Sequence, residues 1–422
     1  MPPSARHDDS PRTSLASTEP HRRNRGALMA ENIHKLQAFL RTKGMAYCYA
    51  VFIAGYFLLP MVSGHRRLYY ILVLPAVLVL WRQLITLYRG NTLLYALLAF
   101  ICYMIGSLVW SADFNQAEAL WSIWYSFAVL TFCAVTGYLW LEHPQTMDKF
   151  LRGGLYVAAA AGLLSVLVWY LNNPFPSSRL ELLGVMSQTN NAACVYGLFT
   201  VLACHYFFTT PTKQAKLSYF VTASVLLSVV LLTQSRTALA ATSVGILAIV
   251  GYRALGLLAI AMGLNWALMA ANSTLWADRV ATFSFRPGIW RQTIADMQGH
   301  WLLGRGSLVN PEVSAYEQVF NHAHNGYLAT LRDGGLIGLT LLIIVLGLAA
   351  FKGLQLYRHT KERIYLSLLL YGMTCIAMDF DRLLVHPNEL WLFFWAPIAL
   401  IMTAVPGRRD VDGALHYAMP AK

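Results

Sequence analysis

The segment Leu336–Phe351 reads LIGLTLLIIVLGLAAF and contains no charged residue. Comparable apolar blocks occur at Leu94–Trp110, Ala119–Leu141, Leu155–Leu171 and Leu217–Leu232. Each block approaches the roughly 20 mainly apolar residues that a helix needs to cross a bilayer. Because backbone groups in lipid must find partners within their own element, these blocks predict transmembrane helices.

The composition indicates the same fold class. Of the 422 residues, 57% are hydrophobic and 12% are charged, whereas a soluble domain carries about 25% charged residues. We therefore predict an all-α, polytopic membrane protein with about 12 transmembrane helices. The predicted spans are residues 45–62, 68–87, 92–111, 119–141, 150–171, 187–209, 216–234, 236–251, 254–271, 326–351, 364–380 and 389–405.

The spans and their connections divide the chain into five regions. Residues 1–43 are polar, rich in Arg, Ser and Pro, and lack a signal-peptide pattern, so we predict a disordered cytoplasmic tail. Residues 44–271 carry transmembrane helices 1–9 and residues 326–405 carry helices 10–12. Residues 272–325 form one large loop with short amphipathic helices, and residues 406–422 form a second cytoplasmic tail.

The distribution of basic residues predicts the orientation in the membrane. With both termini in the cytoplasm, every lysine lies on the cytoplasmic side, and all outer basic residues are arginines. The long loop then faces the periplasm of a bacterial inner membrane. Arginine can bind phosphate or carboxylate through two hydrogen bonds, so the outer arginines predict an anionic ligand. A general bias of the genome towards arginine is the alternative explanation.

Several functional classes find no support in the sequence. The net charge of +12 does not indicate nucleic-acid binding, because the basic residues lie in loops between spans. The six cysteines lie in apolar blocks and fit no zinc or disulfide framework. No Walker-type phosphate loop, HExxH motif or GxSxG elbow is present. Asp379 and Asp381 are an acidic pair that could bind a cation, but no metal or other cofactor is predicted.

The long loop contains a stretch with helical periodicity. Pro287 can occupy a first helical position, and Arg286 and Arg291 lie off the apolar face that follows. We predict an amphipathic helix at the membrane surface, or else an ordinary helix packed on the bundle. The predicted apolar face consists of Ile289, Trp290, Ile294, Met297 and Trp301.

Other candidate residues lie where predicted spans begin. His322, His324 and Asn325 precede the tenth span, where a helix dipole favours an anion and imidazole can accept a proton. Structural roles for the two histidines are the alternative. Asn190 and Asn191 open the sixth span, and they could bind sugar hydroxyls or cap the helix. Arg332 and Asp333 form a predicted internal ion pair.

Three segments resemble motifs of the O-antigen ligase and polymerase superfamily of bacterial membrane glycosyltransferases. They are Thr233–Thr237 with Arg236 at the outer boundary, Arg286–Trp290 leading to Leu303–Gly306, and His324–Leu328 followed by Gly335 and Gly338. The resemblance covers roughly residues 187–345, while the first five spans match only in hydropathy.

Within this superfamily the chain most resembles the O-antigen ligases. The resemblance implies an inverting, metal-independent glycosyltransferase of lipopolysaccharide biosynthesis, with a GT-C-like fold and no nucleotide sugar. Its donor would be O-antigen linked to undecaprenyl pyrophosphate, and its acceptor would be the lipid A–core oligosaccharide. Its partners would therefore be these two glycolipids and membrane lipid, with the active site facing the periplasm.

The resemblance and the residue chemistry together assign expected roles. His324 is predicted as the general base, although it could instead orient a phosphate, and Arg236 and Arg286 are predicted to hold the pyrophosphate. The remaining predicted substrate-binding residues are Arg179, Asn190, Asn191, Arg291, Arg305, His322 and Asn325. The alternatives are an O-antigen polymerase, a protein O-oligosaccharyltransferase and, in a different class, a transporter or flippase of a lipid-linked glycan.

Overall fold

The computed structural model describes residues 44–175, 178–251, 286–308, 313–315, 318–320 and 322–404, with scattered positions in 31–39 and 256–267. The predictions made for the two tails and for most of the ninth span lie outside these residues. The first part of the long loop, up to residue 285, lies outside them as well.

The described residues are mainly helical and share one large hydrophobic core. The helices are α1 (Met45–Leu58), α2 (Val62–Leu68), α3 (Leu74–Tyr88), α4 (Thr92–Gly106), α5 (Gln116–Glu142), α6 (Pro144–Asn172), α7 (Thr189–Thr209), α8 (Lys213–Leu232), α9 (Arg236–Val250), α10 (Arg286–Ala295), α11 (Gly326–Thr360), α12 (Ile364–Met378) and α13 (Ala396–Thr403). π-helical turns at Tyr69–Val73 and Trp391–Trp395 join α2 to α3 and precede α13.

Within the described part of the chain, seven helical segments have the length and apolar composition needed to cross a membrane, where α2, the π-helical turn and α3 count as one segment, Val62–Tyr88. Four shorter apolar helices accompany them. Each coincides with a predicted span, so the chain is a multi-pass membrane protein. The count of about 12 spans stays a prediction. The long loop contributes a short antiparallel ribbon, β1 (Val313–Ala315) with β2 (Gln318–Phe320), which the all-α prediction did not include.

The predicted apolar face at α10 is partly buried against the protein and partly exposed. Ile289 and Met297 are buried as predicted, and Thr293 completes that face, with its hydroxyl donating to the Ile289 carbonyl at 2.8 Å. By contrast, Ile294 and Trp301 are exposed. Residues four apart share one side of a helix, and here that side packs against the protein.

The helix α11 is interrupted at Gly335, whose φ of +63° and ψ of −165° are not helical. The break leaves backbone groups without partners inside the helix, and such groups must be satisfied elsewhere. Arg305 N–H and Gly306 N–H donate to the carbonyls of Arg332 and Asp333, at 2.8 and 2.9 Å. Leu336 N–H donates to the Trp301 carbonyl at 2.8 Å. The interruption thus anchors the end of the long loop.

Replacing Gly335 with alanine is expected to destabilise the protein by about 1–3 kcal/mol, because a side chain strains this left-handed backbone. The added Cβ would also collide with the Leu302 carbonyl and with Gly304 N. Thermal unfolding in detergent measures the loss. Gly347→Ala is the matched control, because its Cβ meets open space on the same helix. Equal midpoints for the two variants would contradict the prediction.

Candidate active site

Asp379, the residue directly after α12, is the centre of a polar cluster at one end of the helix bundle. Its Oδ1 lies 2.9 Å from His324 Nδ1, just before α11. Its Oδ2 lies 3.5 Å from Arg286 Nη2 on α10 and accepts a hydrogen bond from Asn190 Nδ2 on α7 at 3.3 Å. Asp379 is buried. Its carboxylate thus contacts three residues that were predicted separately: His324, Arg286 and Asn190.

Two further predicted arginines belong to the same cluster. Arg179 donates to Asn190 Oδ1 and, through Nε, to the Thr233 carbonyl at 2.7 Å. Arg236 is the first residue of α9, and the charge of Arg286 acts on it directly. The cluster therefore contains three guanidinium groups and one carboxylate, with Arg286 in direct contact with Asp379, and its excess of positive charge suits an anion.

Strained backbone marks the same region. Gln234, His324 and Phe380 have φ values of +51°, +48° and +72°, in the left-handed region that residues other than glycine rarely occupy. Each is either a cluster residue or lies within two positions of one. Such conformations occur preferentially at functional sites, where the surrounding structure holds them in place.

The contact with Asp379 fixes the imidazole of His324. An ionised carboxylate only accepts hydrogen bonds, so Nδ1 of His324 carries the proton and donates it to Asp379. In the neutral ring, Nε2 is then the acceptor. This arrangement allows His324 to take a proton from a substrate while Asp379 stabilises the resulting imidazolium.

The environment keeps Asp379 ionised. Burial is the largest single influence and raises the pKa of this carboxyl, but the hydrogen bond from His324 and the neighbouring charges together outweigh it. These charges are those of His324 and Arg286, and the N–H of Phe380 lowers the pKa as well, so it lies below the ordinary value of 3.8.

This shift predicts how stability depends on pH. A carboxyl whose pKa is lower in the folded state stabilises fully above its unfolded pKa, and the contribution is lost as the pH falls through the folded pKa. The difference in unfolding midpoint between the wild type and Asp379→Asn is therefore expected to shrink below pH 3.8. Thermal unfolding across the acidic range checks this, and a difference that grows on acidification would contradict it.

A buried ion network lies next to the cluster and contacts the segment that carries the two histidines. Arg332 donates to both oxygens of Asp381, at 3.0 and 3.2 Å, and to Asp333 Oδ1 at 2.7 Å, which confirms the predicted internal pair. Asp381 Oδ1 also accepts from the Ala323 N–H at 3.3 Å, between the two histidines. The indole N–H of Trp290 donates to the Ala323 carbonyl at 3.1 Å.

Replacing Arg332 with methionine is expected to cost about 3–5 kcal/mol of stability. Buried Asp333 would keep only the longer contact with Arg382, whose Nε lies 3.6 Å from Asp333 Oδ2, and Asp381 would lose its bidentate donor. Unfolding in detergent measures the loss. Adding Asp333→Asn and Asp381→Asn should recover part of it, since the stranded charges are then removed. A wild-type midpoint for the single variant would exclude this role.

The remaining predicted residues lie around or outside the cluster. The ring of His322 packs edge-on against His324, with centroids 3.7 Å apart, and burial followed by the charge of His324 lowers its pKa. The oxygen of Asn325 caps α11 by accepting from the N–H groups of Tyr327 and Leu328. Among the described side chains, Arg291 and Arg305 make no ion pair or hydrogen bond with the Asp379 cluster, so their substrate contacts stay predictions.

Asp379 and Asp381, suggested above as a pair that could bind a cation, each contact basic residues. Asp379 contacts His324 and Arg286, whereas Asp381 pairs with Arg332 in the buried ion network. No group of three or more His, Cys, Asp or Glu with metal-binding geometry occurs among the described residues.

The contacts of Asp379 with His324 and Arg286 were not predicted, because these partners lie far away in sequence. The available signal was the charged run Asp379-Phe380-Asp381-Arg382 between two apolar spans.

Sequence comparison supports the resemblance that the motifs suggested. A curated O-antigen ligase from Pseudomonas aeruginosa strain PAO1 is 29% identical over 350 residues, covering 80% of this chain and 85% of that protein. The chain is O-antigen ligase-like. No protein-family model matches it. An alignment that covers 80% of the chain extends well beyond the motif region 187–345. A glycosyltransferase-like enzyme is the activity class that this similarity suggests.

Proposed function

We propose that this protein transfers a polysaccharide from undecaprenyl pyrophosphate to the lipid A–core oligosaccharide. The observation that carries the proposal is the contact of one buried carboxylate, Asp379, with both His324 and Arg286. This contact holds a candidate base next to a candidate phosphate-binding group. The similarity to the O-antigen ligase of Pseudomonas aeruginosa supports the ligase class.

In the proposed step, a hydroxyl oxygen of the acceptor sugar attacks the anomeric carbon of the donor. The bond from that carbon to the pyrophosphate oxygen breaks, and its electron pair leaves with undecaprenyl pyrophosphate. The hydroxyl proton passes to Nε2 of His324. Attack opposite the leaving group inverts the anomeric centre. Because the leaving group is already acidic, no second carboxylate is needed to protonate it.

The arginines would bind the diphosphate and stabilise its growing charge. Arg236 and Arg286 are the proposed clamp, and Arg179 orders the Asn190 amide that contacts Asp379. Since guanidinium groups supply the positive charge, the step is proposed to proceed without a metal ion. The positive-inside pattern supports placing this end of the bundle in the periplasm, at the outer face of the inner membrane.

A reconstituted assay tests the proposal. Purified protein would be incubated with undecaprenyl-pyrophosphate-linked O-antigen and lipid A–core, with a chelator and without ATP, and the product read as a gel shift. Product formed under these conditions, and lost in Arg236→Ala, would establish metal-independent transfer.

Other results would reassign the function. Growth of the donor polymer without use of lipid A–core would indicate a polymerase. Absence of product with either acceptor, from protein shown to be folded, would overturn the transferase proposal. Movement of the lipid-linked glycan between vesicle leaflets would then support the transporter alternative.

A further inference from the structure

A second polar cluster lies beside the first at the same end of the bundle. Three connections meet there: the α1–α2 link, the segment before α7 and the segment before Trp391. The Val185 N–H donates to the Leu59 carbonyl at 3.1 Å, and Tyr56 donates its hydroxyl hydrogen to the Asn388 carbonyl at 2.6 Å. These bonds hold the three connections together.

Glu389 is the buried acid of this cluster. It is 7% exposed, and its side chain lies close enough to Asn191, at the start of α7, for that amide to lower its pKa. Burial raises the pKa of Glu389, while its own backbone N–H, Arg66 and Asn191 each lower it. A carboxylate offers about four acceptor positions, which is more than these partners occupy. The spare capacity suits hydroxyl donors.

Arg66 contributes unused donor capacity. Its Nε is buried and meets no hydrogen-bond acceptor among the described residues, although the charge of Arg66 acts on Glu389 and on His386. A buried donor without a partner is costly, so such a group in a native protein calls for an explanation. A ligand that accepts a hydrogen bond at this point provides one.

Aromatic rings border the cluster. His386 packs edge-on against Tyr125 with centroids 5.6 Å apart, and Tyr70 stacks on Trp124 at 5.8 Å. Trp124 is 38% exposed. Large amphipathic rings beside mixed donors and acceptors suit a ligand with both apolar faces and hydroxyl groups.

The two clusters share the first turn of α7. Asn190 donates to Asp379 in the first cluster, whereas the adjacent Asn191 donates to Gln188 at 2.7 Å and acts on the pKa of Glu389 in the second. A ligand in the second cluster would therefore lie next to His324 and the arginines.

We propose that Glu389, Asn191, Gln188 and Arg66 form the subsite for the acceptor sugar, a neutral hydroxylated ring at the end of the core oligosaccharide. This inference rests on the proposed function. The charge balance separates the two clusters: the first contains three arginines and one carboxylate, whereas in the second the charge of Arg66 acts on Glu389. A buried carboxylate repels phosphate, so the second cluster suits sugar hydroxyls rather than the donor diphosphate.

The test compares kinetic constants for the two substrates. Glu389→Gln and Asn191→Ala are expected to raise the acceptor KM about tenfold or more, because each removes a hydrogen bond to a hydroxyl. The donor KM and the kcat at saturating acceptor should stay within about twofold of wild type, below the effect of one lost hydrogen bond. Glu181→Gln and Arg67→Gln, which alter exposed residues of the same connections, are the matched controls and should change neither constant.

A binding measurement separates the subsite from the reaction. Calorimetry with deacylated lipid A–core oligosaccharide should show binding by wild type and loss by both variants, whose folding is checked by thermal unfolding. If Glu389→Gln fails to fold, the variant at the more exposed position, Asn191→Ala, tests the subsite.

Binding of the oligosaccharide by the wild type without transfer would overturn the proposed function but leave the subsite supported. Wild-type transfer with an unchanged acceptor KM in a folded variant, or a raised donor KM, would overturn the subsite. Neither binding nor transfer by wild type would overturn both.

Discussion

Replacing His324 with alanine is expected to slow glycosyl transfer by about 10²–10⁴-fold, the usual contribution of a positioned general base. The acceptor hydroxyl is a weak nucleophile, and Nε2 of His324 is the proposed proton acceptor, because Nδ1 is committed to Asp379 at 2.9 Å. Initial rates at saturating donor and acceptor measure the effect. The donor KM should change little, since the arginines that would bind the diphosphate are retained.

His324→Gln separates proton transfer from phosphate orientation. Glutamine can donate and accept hydrogen bonds but cannot act as a base near neutral pH. A general base predicts that glutamine is nearly as inactive as alanine and that the pH dependence of the rate is lost. Activity within about tenfold of wild type would leave His324 only an orienting role. His322→Ala is the neighbouring control and should have a clearly smaller effect.

Asp379→Asn should reproduce much of the His324 defect while leaving the imidazole in place. An amide can present its NH₂ group to Nδ1 and favour the tautomer in which Nε2 carries the hydrogen, so Nε2 is no longer an acceptor. The expected signature is a lower kcat with little change in either KM. A change confined to KM would indicate that Asp379 only shapes the binding site.

The positions of the helices could be predicted from the sequence because hydropathy alone determines them. Segments such as Leu336–Phe351 carry no charge, and no competing structure satisfies their backbone in lipid. The interruption at Gly335 could not be predicted in the same way. A glycine within a helical pattern usually means only a weaker helix, and the partners that stabilise this break come from Trp301–Gly306, outside the span.

The basic residues of the candidate site could be predicted from the sequence, whereas its carboxylate could not. Arg179, Arg236, Arg286 and His324 attracted attention because cations at span boundaries are costly and rare in apolar surroundings. The sequence contains no local signal that pairs Asp379 with His324, because the packing of α12 against the start of α11 brings them together. A carboxylate in contact with both His324 and Arg286 was therefore not expected.

The face of α10 shows where periodicity alone is insufficient. The sequence offered the aromatic and aliphatic residues Ile294 and Trp301 as an apolar stripe, but the structure exposes both and buries Thr293. A threonine hydroxyl that bonds back to the preceding turn loses much of its polarity, so it can take a core position. Hydrophobicity scales do not include this local hydrogen bond.

Replacing Arg286 with glutamine is expected to lower kcat by about 10²–10³-fold, the cost of removing one electrostatic group that stabilises a developing anion. Arg286 lies 3.5 Å from Asp379 Oδ2 and 3.4 Å from Thr237 Oγ1, so its guanidinium is positioned before substrate binds. Arg286→Lys should recover only part of the loss, because an ammonium group cannot form the two parallel hydrogen bonds of a guanidinium.

Arg291→Gln is the matched comparison for Arg286→Gln, because it removes the same charge from the same helix. Arg291 is exposed and lies one turn further along α10, outside the Asp379 cluster. If proximity to the cluster determines the effect, Arg291→Gln should change kcat far less than Arg286→Gln. If general attraction of an anionic donor determines it, both variants should weaken transfer alike, chiefly through the donor KM, and the loss should diminish at high ionic strength. Measuring kcat and both KM values at two salt concentrations therefore decides between a positioned clamp and a diffuse positive surface.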